Sequence, residues 1–227
     1  MSRIARVTIP GIPHHITQRG NRRQNVFFSD ADRSLYLRLL KDQGKRFGIT
    51  FWAYCLMDNH VHIIAVPENE RSFSHGLGEV HRRYTSILNY REGWSGYLWQ
   101  GRFASFPLDN SYLYAAMRYV ELNPVRAGMV HEPEAYFWSS AKAHVLKVKD
   151  ALLGEHFLSD EIKDWKDFLV AGDVDNFGVK FEQHSLTGRP LGEATFIHSL
   201  EQKLGRSLSL QRRGPKPKSK KLISDLV

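Results

Sequence analysis

The chain has 227 residues, of which 42% are hydrophobic, with a formal net charge of +8 and a single cysteine, Cys55. That length suits one ordinary domain with an appendage, and one cysteine excludes an internal disulfide and fits a reducing compartment. No stretch approaches the roughly 18 apolar residues that span a bilayer, and Met1–Pro10 lacks the apolar core of a signal peptide, so no membrane association and a cytoplasmic location are expected.

In chain order, residues 13–19 read as a short strand closed by a turn at Gly20-Asn21. Ser29 followed by Asp30 and Asp32 signals a helix start. Leu35, Leu39 and Leu40 supply its apolar stripe, and Gly48 ends it. Residues 50–57 and 60–66 read as two strands joined by the turn-prone Asp58-Asn59, the second stopped by Pro67. Phe73, Leu77, Val80, Tyr84 and Ile87 recur at helical spacing. Residues 102–108 read as a last strand, which Pro107 places at a sheet edge. Asp109 to Ser111 cap a third helix running to about Leu122, before Pro124. The resulting βαββαβα order predicts an α+β fold, a ferredoxin-like or RRM-like antiparallel sheet with helices on one face.

Beyond residue 140 the pattern weakens. Residues 150–170 look helical, and the turn at 187–192 leads into a helix carrying Phe196, Ile197, Leu200 and Leu204. The organisation expected is a main domain over 1–140, a helical extension over 141–210 and a basic, flexible tail over 211–227. Charge follows the same division. Residues 1–29 hold five arginines and no acid, and residues 203–221 hold eight basic residues and no acid. Allowing for Asp225, about −4 is left for residues 30–202. Basic ends of this kind suit a polyanion such as nucleic acid.

Two constellations carry chemistry. His60 and His62, at i and i+2 of a strand, project to one face and make half of a metal site. Tyr119 and Asn123, at i and i+4 of a helix, share a face. Small Ala115 and Ala116 leave room there for a bulky substrate, with Tyr112 and Tyr114 as rival nucleophiles on the same helix. A His-Val-His strand followed by a helix ending Tyr-x-x-x-Asn-Pro resembles the HUH superfamily of tyrosine nucleases and transposases. Within it the sequence is similar to the single-tyrosine REP-associated transposases. The matching stretches are Pro13-His14-His15-Ile16-Thr17-Gln18-Arg19-Gly20-Asn21, Met57-Asp58-Asn59-His60-Val61-His62, Leu98-Trp99-Gln100-Gly101-Arg102-Phe103, and the run from Arg118 to Gly128. Together they cover roughly residues 8–140.

The resemblance implies His60 and His62 as metal ligands, Asn123 as a third, Mg²⁺ or Mn²⁺ as the ion, and Tyr119 as the nucleophile. The implied reaction cleaves and rejoins single-stranded or hairpin DNA through a 5′-phosphotyrosine, carried out by a monomer or homodimer. Arg19, Arg22, Arg23, Trp99 and Arg102 are candidates for the DNA surface, with Arg212, Arg213, Lys216 and Lys218 from the tail. The competing expectation is a non-catalytic nucleic-acid-binding regulator on the same fold, which would need neither the histidine pair nor Tyr119.

Overall fold

His14–Arg19 (β1), Ile49–Met57 (β2), His60–Pro67 (β3) and Ala104–Pro107 (β4) pair antiparallel in the order β2-β3-β1-β4. This sheet is the centre of the computed structural model, which describes residues 4–171 and 174–209. Two long helices, α1 (Asp30–Phe47) and α2 (Ser72–Glu92), complete the ferredoxin-like βαββαβ arrangement. They are followed by α3 (Asn110–Glu121), α4 (Asn123–Arg126), α5 (Ala141–Leu146), α6 (Leu158–Glu161), α7 (Trp165–Val170), α8 (Val174–Thr187) and α9 (Ala194–Leu204).

Local chemistry sets the boundaries as the sequence predicts. Ser29 opens α1 with a capping box: its hydroxyl accepts from the Asp32 amide, and the Asp32 carboxylate accepts from the Ser29 and Phe28 amides at 3.0 and 2.8 Å. Such a cap contributes about 1 kcal/mol. Gly48 ends α1 in the left-handed region at φ 63, where a side chain would be strained. The expected stripe on α2 holds except at its end. Ile87 is exposed and Leu88 is buried in its place, because i+4 rather than i+3 from Tyr84 keeps to the core face.

Alternation along the strands sorts the two faces of the sheet. His14, Ile16, Val61, Ile63 and Ala65 share the face covered by α1 and α2, where Phe73 meets the His14 ring edge-on at 5.1 Å. Helix α3 lies across the opposite face against β2 and β3, and α8 packs on α3 and β4. Pro107 sits in the edge strand as its missing N–H requires, and Leu191 donates to its carbonyl at 2.9 Å.

The C-terminal part departs from the sequence expectation. Residues 150–170 form only α6 and α7. Ahead of them the Asp150 carboxylate accepts from the Leu152 and Leu153 amides and from the Tyr54 hydroxyl, a local turn that competes with helix. Nothing in the sequence pattern marks α5 or α8. Leu158, Trp165, Leu169 and Phe181 from this region pack into the same core as the sheet. The expected basic tail, with Arg212, Arg213, Lys216 and Lys218, lies outside the described residues. Among the described residues no helix is long and apolar enough to cross a membrane.

Two buried histidines on the α1/α2 side give a measurable pH dependence. His14 Nε2 accepts from the Ile9 amide at 3.2 Å while Nδ1 faces the Ile12 carbonyl at 2.8 Å, so a proton on Nε2 would oppose an N–H. Burial lowers the pKa of His14 to about 4 and that of His81 to about 3. The unfolded chain therefore takes up these protons first, near 6.5, and stability falls as pH drops from there towards the folded values. Each group should remove on the order of 2 kcal/mol between pH 7 and pH 5. Urea denaturation at the two pH values tests the loss, and NMR titration should show both rings still neutral at pH 5.

Candidate functional site

The register of β1 against β3 builds one polar strip on the face that α3 crosses. Thr17 stands opposite His62 and Arg19 opposite His60, with His15 next along the same face. Tyr119 on α3 meets this strip. Its ring stands edge-on to His62 at 5.3 Å and to His15 at 6.0 Å, and Phe181 of α8 closes against it at 5.0 Å. His60 and His62 lie 4.9 Å apart at 87°. A cavity of about 510 Å³ opens here, lined among others by Arg19, Arg23, His62, Gln100, Tyr119 and Glu182.

Hydrogen bonds orient both imidazoles. His60 Nδ1 lies 2.6 Å from the Asn59 amide oxygen, which can only accept, so Nδ1 carries the proton and Nε2 keeps its lone pair. His62 Nδ1 is 3.0 Å from His15 Nε2, and both rings are buried. Burial, with the Arg19 charge second, lowers His60 to about 4, and burial with nearby positive groups lowers His62 well below its ordinary value. Both are neutral at pH 7, the form that binds a metal ion. Burial raises the Tyr119 pKa, while the charge of the Arg126 guanidinium, 5.2 Å from the ring centroid, acts against that rise.

A buried carboxylate fixes α3 two residues beyond Tyr119. Glu121 accepts from Ser140 Oγ and His144 Nδ1 at 2.5 Å each and from Trp165 Nε1 at 2.7 Å. Its burial without these three donors would be strongly unfavourable, so the end of α3 is tied to α5 and α7.

The family model described as "Transposase IS200 like" matches residues 8–123. The chain belongs to the IS200-like transposase family. The solved structure of a REP-associated tyrosine transposase bound to a REP hairpin is similar at 20% identity, with a TM-score of 0.56, over 69% of this chain and 93% of that one. A crystal structure of a transposase candidate from Deinococcus radiodurans R1 aligns at 19% identity and a TM-score of 0.38 over 53% and 96%. No curated protein matches.

Within this IS200-like transposase, the fold brings His60, His62, Tyr119, Arg19 and Arg23 together. Asn123 is not among the residues lining the cavity. A turn at Leu122 (φ −84, ψ −2) separates α3 from α4, which Asn123 opens. Tyr112 and Tyr114 point elsewhere, towards Phe177 and Glu161 respectively. Ala115 and Ala116 do not make room for substrate. Both are buried, and their small size lets α3 approach the sheet.

Gly20 is required by close approach, since a Cβ there would meet the Gln24 carbonyl at 2.2 Å. Beyond it Arg22 and Arg23 both take left-handed backbone, φ 53 and 62, at a cost of order 1–3 kcal/mol each. Both side chains are exposed. Arg102 is exposed as well and lines a separate crevice with Arg6 and Gly188.

Trp99 does not form a DNA surface. It is 7% exposed and packs among Tyr36, His81 and Tyr84, because its bridge to Gly20 turns the ring under the sheet's helical layer. His15, Gln100, Arg126, Phe181 and Glu182 are site residues that spacing alone missed. The first three lie within the motif stretches, and nothing in the pattern marked the two on α8. Trp99→Ala should accordingly cost about 3–5 kcal/mol of folding stability, measured by the denaturant midpoint. A loss below about 1 kcal/mol would contradict its core position.

Proposed function

We propose that this IS200-like transposase cleaves and rejoins single-stranded DNA at hairpin-forming repeats through a 5′-phosphotyrosine on Tyr119. The observation that carries this reading is a tyrosine of α3 set against His62, the inner member of a neutral histidine pair, in a cavity bordered by arginines. The phenol oxygen attacks the phosphorus as the bond to the 3′-oxygen breaks, leaving a free 3′-hydroxyl. The covalent intermediate divides the exchange into two steps and conserves the phosphodiester, so rejoining needs no nucleotide triphosphate. A free phenol titrates near ~10, so the oxygen must be helped to lose its proton. The nearby Arg126 charge favours the developing anion. Arg19 and Arg23 supply positive charge for the flanking phosphates.

The histidine pair suits Mg²⁺ or Mn²⁺, the latter more at ease with nitrogen ligands. Among the described residues no group of three His, Cys, Asp or Glu could hold a metal ion. The remaining ligands would be neutral, from water and from Asn123 on the adjoining turn. When bound, the ion would polarise a non-bridging phosphate oxygen and orient the scissile group. His15 serves as a positioning residue, holding the His62 ring through Nδ1. The neighbouring fold was solved with a REP hairpin, which supports the same class of substrate here.

Tyr119→Phe should abolish covalent attachment while leaving DNA affinity within about twofold. Labelled single-stranded hairpin DNA, incubated with the variant and run on a denaturing gel, provides the test. A surviving adduct would transfer the role to another tyrosine, Tyr112 first.

For the metal, His60→Ala and His62→Ala should each abolish Mn²⁺ binding measured by calorimetry. His15→Leu should weaken it about 10–100-fold. Wild-type Mn²⁺ affinity in a His60/His62 double variant would remove the ion from this site.

A further inference from the structure

Trp99 is buried, yet the loop before it exposes other aromatic side chains. Tyr97 is 88% exposed and Trp94 46%, and Tyr90, at the end of α2, is 92% exposed. The loop is not loose. The Asn89 carbonyl accepts from the Trp94 amide at 2.8 Å, the Asn89 side chain donates to the Gly96 carbonyl at 3.0 Å, and Trp94 packs edge-on against exposed Phe28 at 5.5 Å.

Its partner across the gap is the arginine turn. Asn21 donates to the Leu98 carbonyl at 2.8 Å, Gly20 bridges Trp99, and Gln100 donates to the Arg19 carbonyl at 2.9 Å. This pairing brings the loop that carries Trp94 and Tyr97 up to the turn that carries Arg22 and Arg23. Among the described residues neither Arg22 nor Arg23 is in an ion pair, whereas nearby acids Glu92 and Asp32 are paired with Arg91. Arg23 and Gln100 also line the cavity of Tyr119, so the ledge is continuous with it.

We propose that this ledge, Arg22 and Arg23 with Trp94 and Tyr97, binds the single-stranded DNA that flanks the cleaved phosphate. The bases stack on the two rings and the phosphates lie against the two guanidinium groups. The inference rests on the reading of the chain as a single-strand DNA enzyme and adds where the strand runs. Exposed rings flanked by unpaired cations fit single strands, whose bases present free faces. A duplex offers only its backbone. The turn fixes the backbone of both arginines and leaves both side chains exposed.

The test uses the full chain and fluorescein-labelled oligo(dT) of 5 and 15 nucleotides, read by anisotropy, with a 15-base-pair duplex as control. Trp94→Ala/Tyr97→Ala should weaken 15-mer binding at least tenfold, the scale of one or two lost stacking contacts. It should change 5-mer and duplex binding less than twofold. Wild-type intrinsic fluorescence should be quenched by the 15-mer, and that quenching should shrink in Trp94→Phe.

Unchanged 15-mer affinity in the double variant would overturn the proposal. So would an equal loss on duplex, or a change in sedimentation with intact 15-mer binding, which would make the ledge a contact between protein copies. The Tyr119 adduct is scored separately on hairpin DNA. An adduct with a ledge that binds nothing sinks this inference alone, whereas 15-mer binding through the ledge without any adduct sinks the catalytic reading.

Discussion

Everything at the candidate site depends on the central pairing of β1 with β3. Side chains alternate across a strand, so the register that places Thr17 opposite His62 also sends His14, Ile16, Val61 and Ile63 to the other face. One slip of a residue would bury the histidine pair under α1 and α2 and turn the apolar set towards Tyr119. The core packing of Phe73, Leu77, Val80 and Tyr84 therefore protects the chemistry without touching it. Gly20 and the Asn59 turn close the same pair at its end. The Gly20 amide donates to the Asn59 carbonyl while the Asn59 side chain holds His60.

Tyr119 is held in a different way. Tyr119 comes from a helix rather than from the sheet, and its position depends on how α3 is fastened down. Small residues let the helix approach, and Glu121 anchors its end through three donors from α5, α7 and the segment before α5. The C-terminal helices thus serve the main domain, and α8 adds Phe181 to the ring cluster around Tyr119. Burial on that scale raises the phenol's pKa, and Arg126 counters it from the far side. Tyr119 is half-buried at the wall of the cavity, with the positive charges of Arg19 and Arg126 near its phenol.

Positive charge is arranged with comparable economy. Arg19 and Arg23 border the cavity, and Arg22 continues outward beside exposed rings. Two consecutive left-handed arginines are unfavourable backbone, kept because Gly20 admits the close turn and Asn59 caps it by accepting and donating at once. Strain of this kind is tolerated where the surrounding contacts over-determine the turn.

Much of this was legible in the residues alone. Alternation put His60 and His62 on one face, Ser29 and Gly48 bounded α1, Pro107 required an edge, and the strand and helix order implied the antiparallel sheet. Those features are local, set by steric and hydrogen-bonding preferences within a few residues. Only the tertiary structure decided the rest. Whether Trp99 or Trp94 faces solvent depends on a bridge to Gly20 made across the chain. The partner of His62 is a histidine 47 positions earlier. Asn123 opens α4 beyond a turn at Leu122, and Asp150 turns a stretch of apparent helix into a loop by bonding the neighbouring backbone and Tyr54. Periodicity reports which face a side chain takes, but not what lies opposite it, since that is set by contacts between distant segments once the chain has folded.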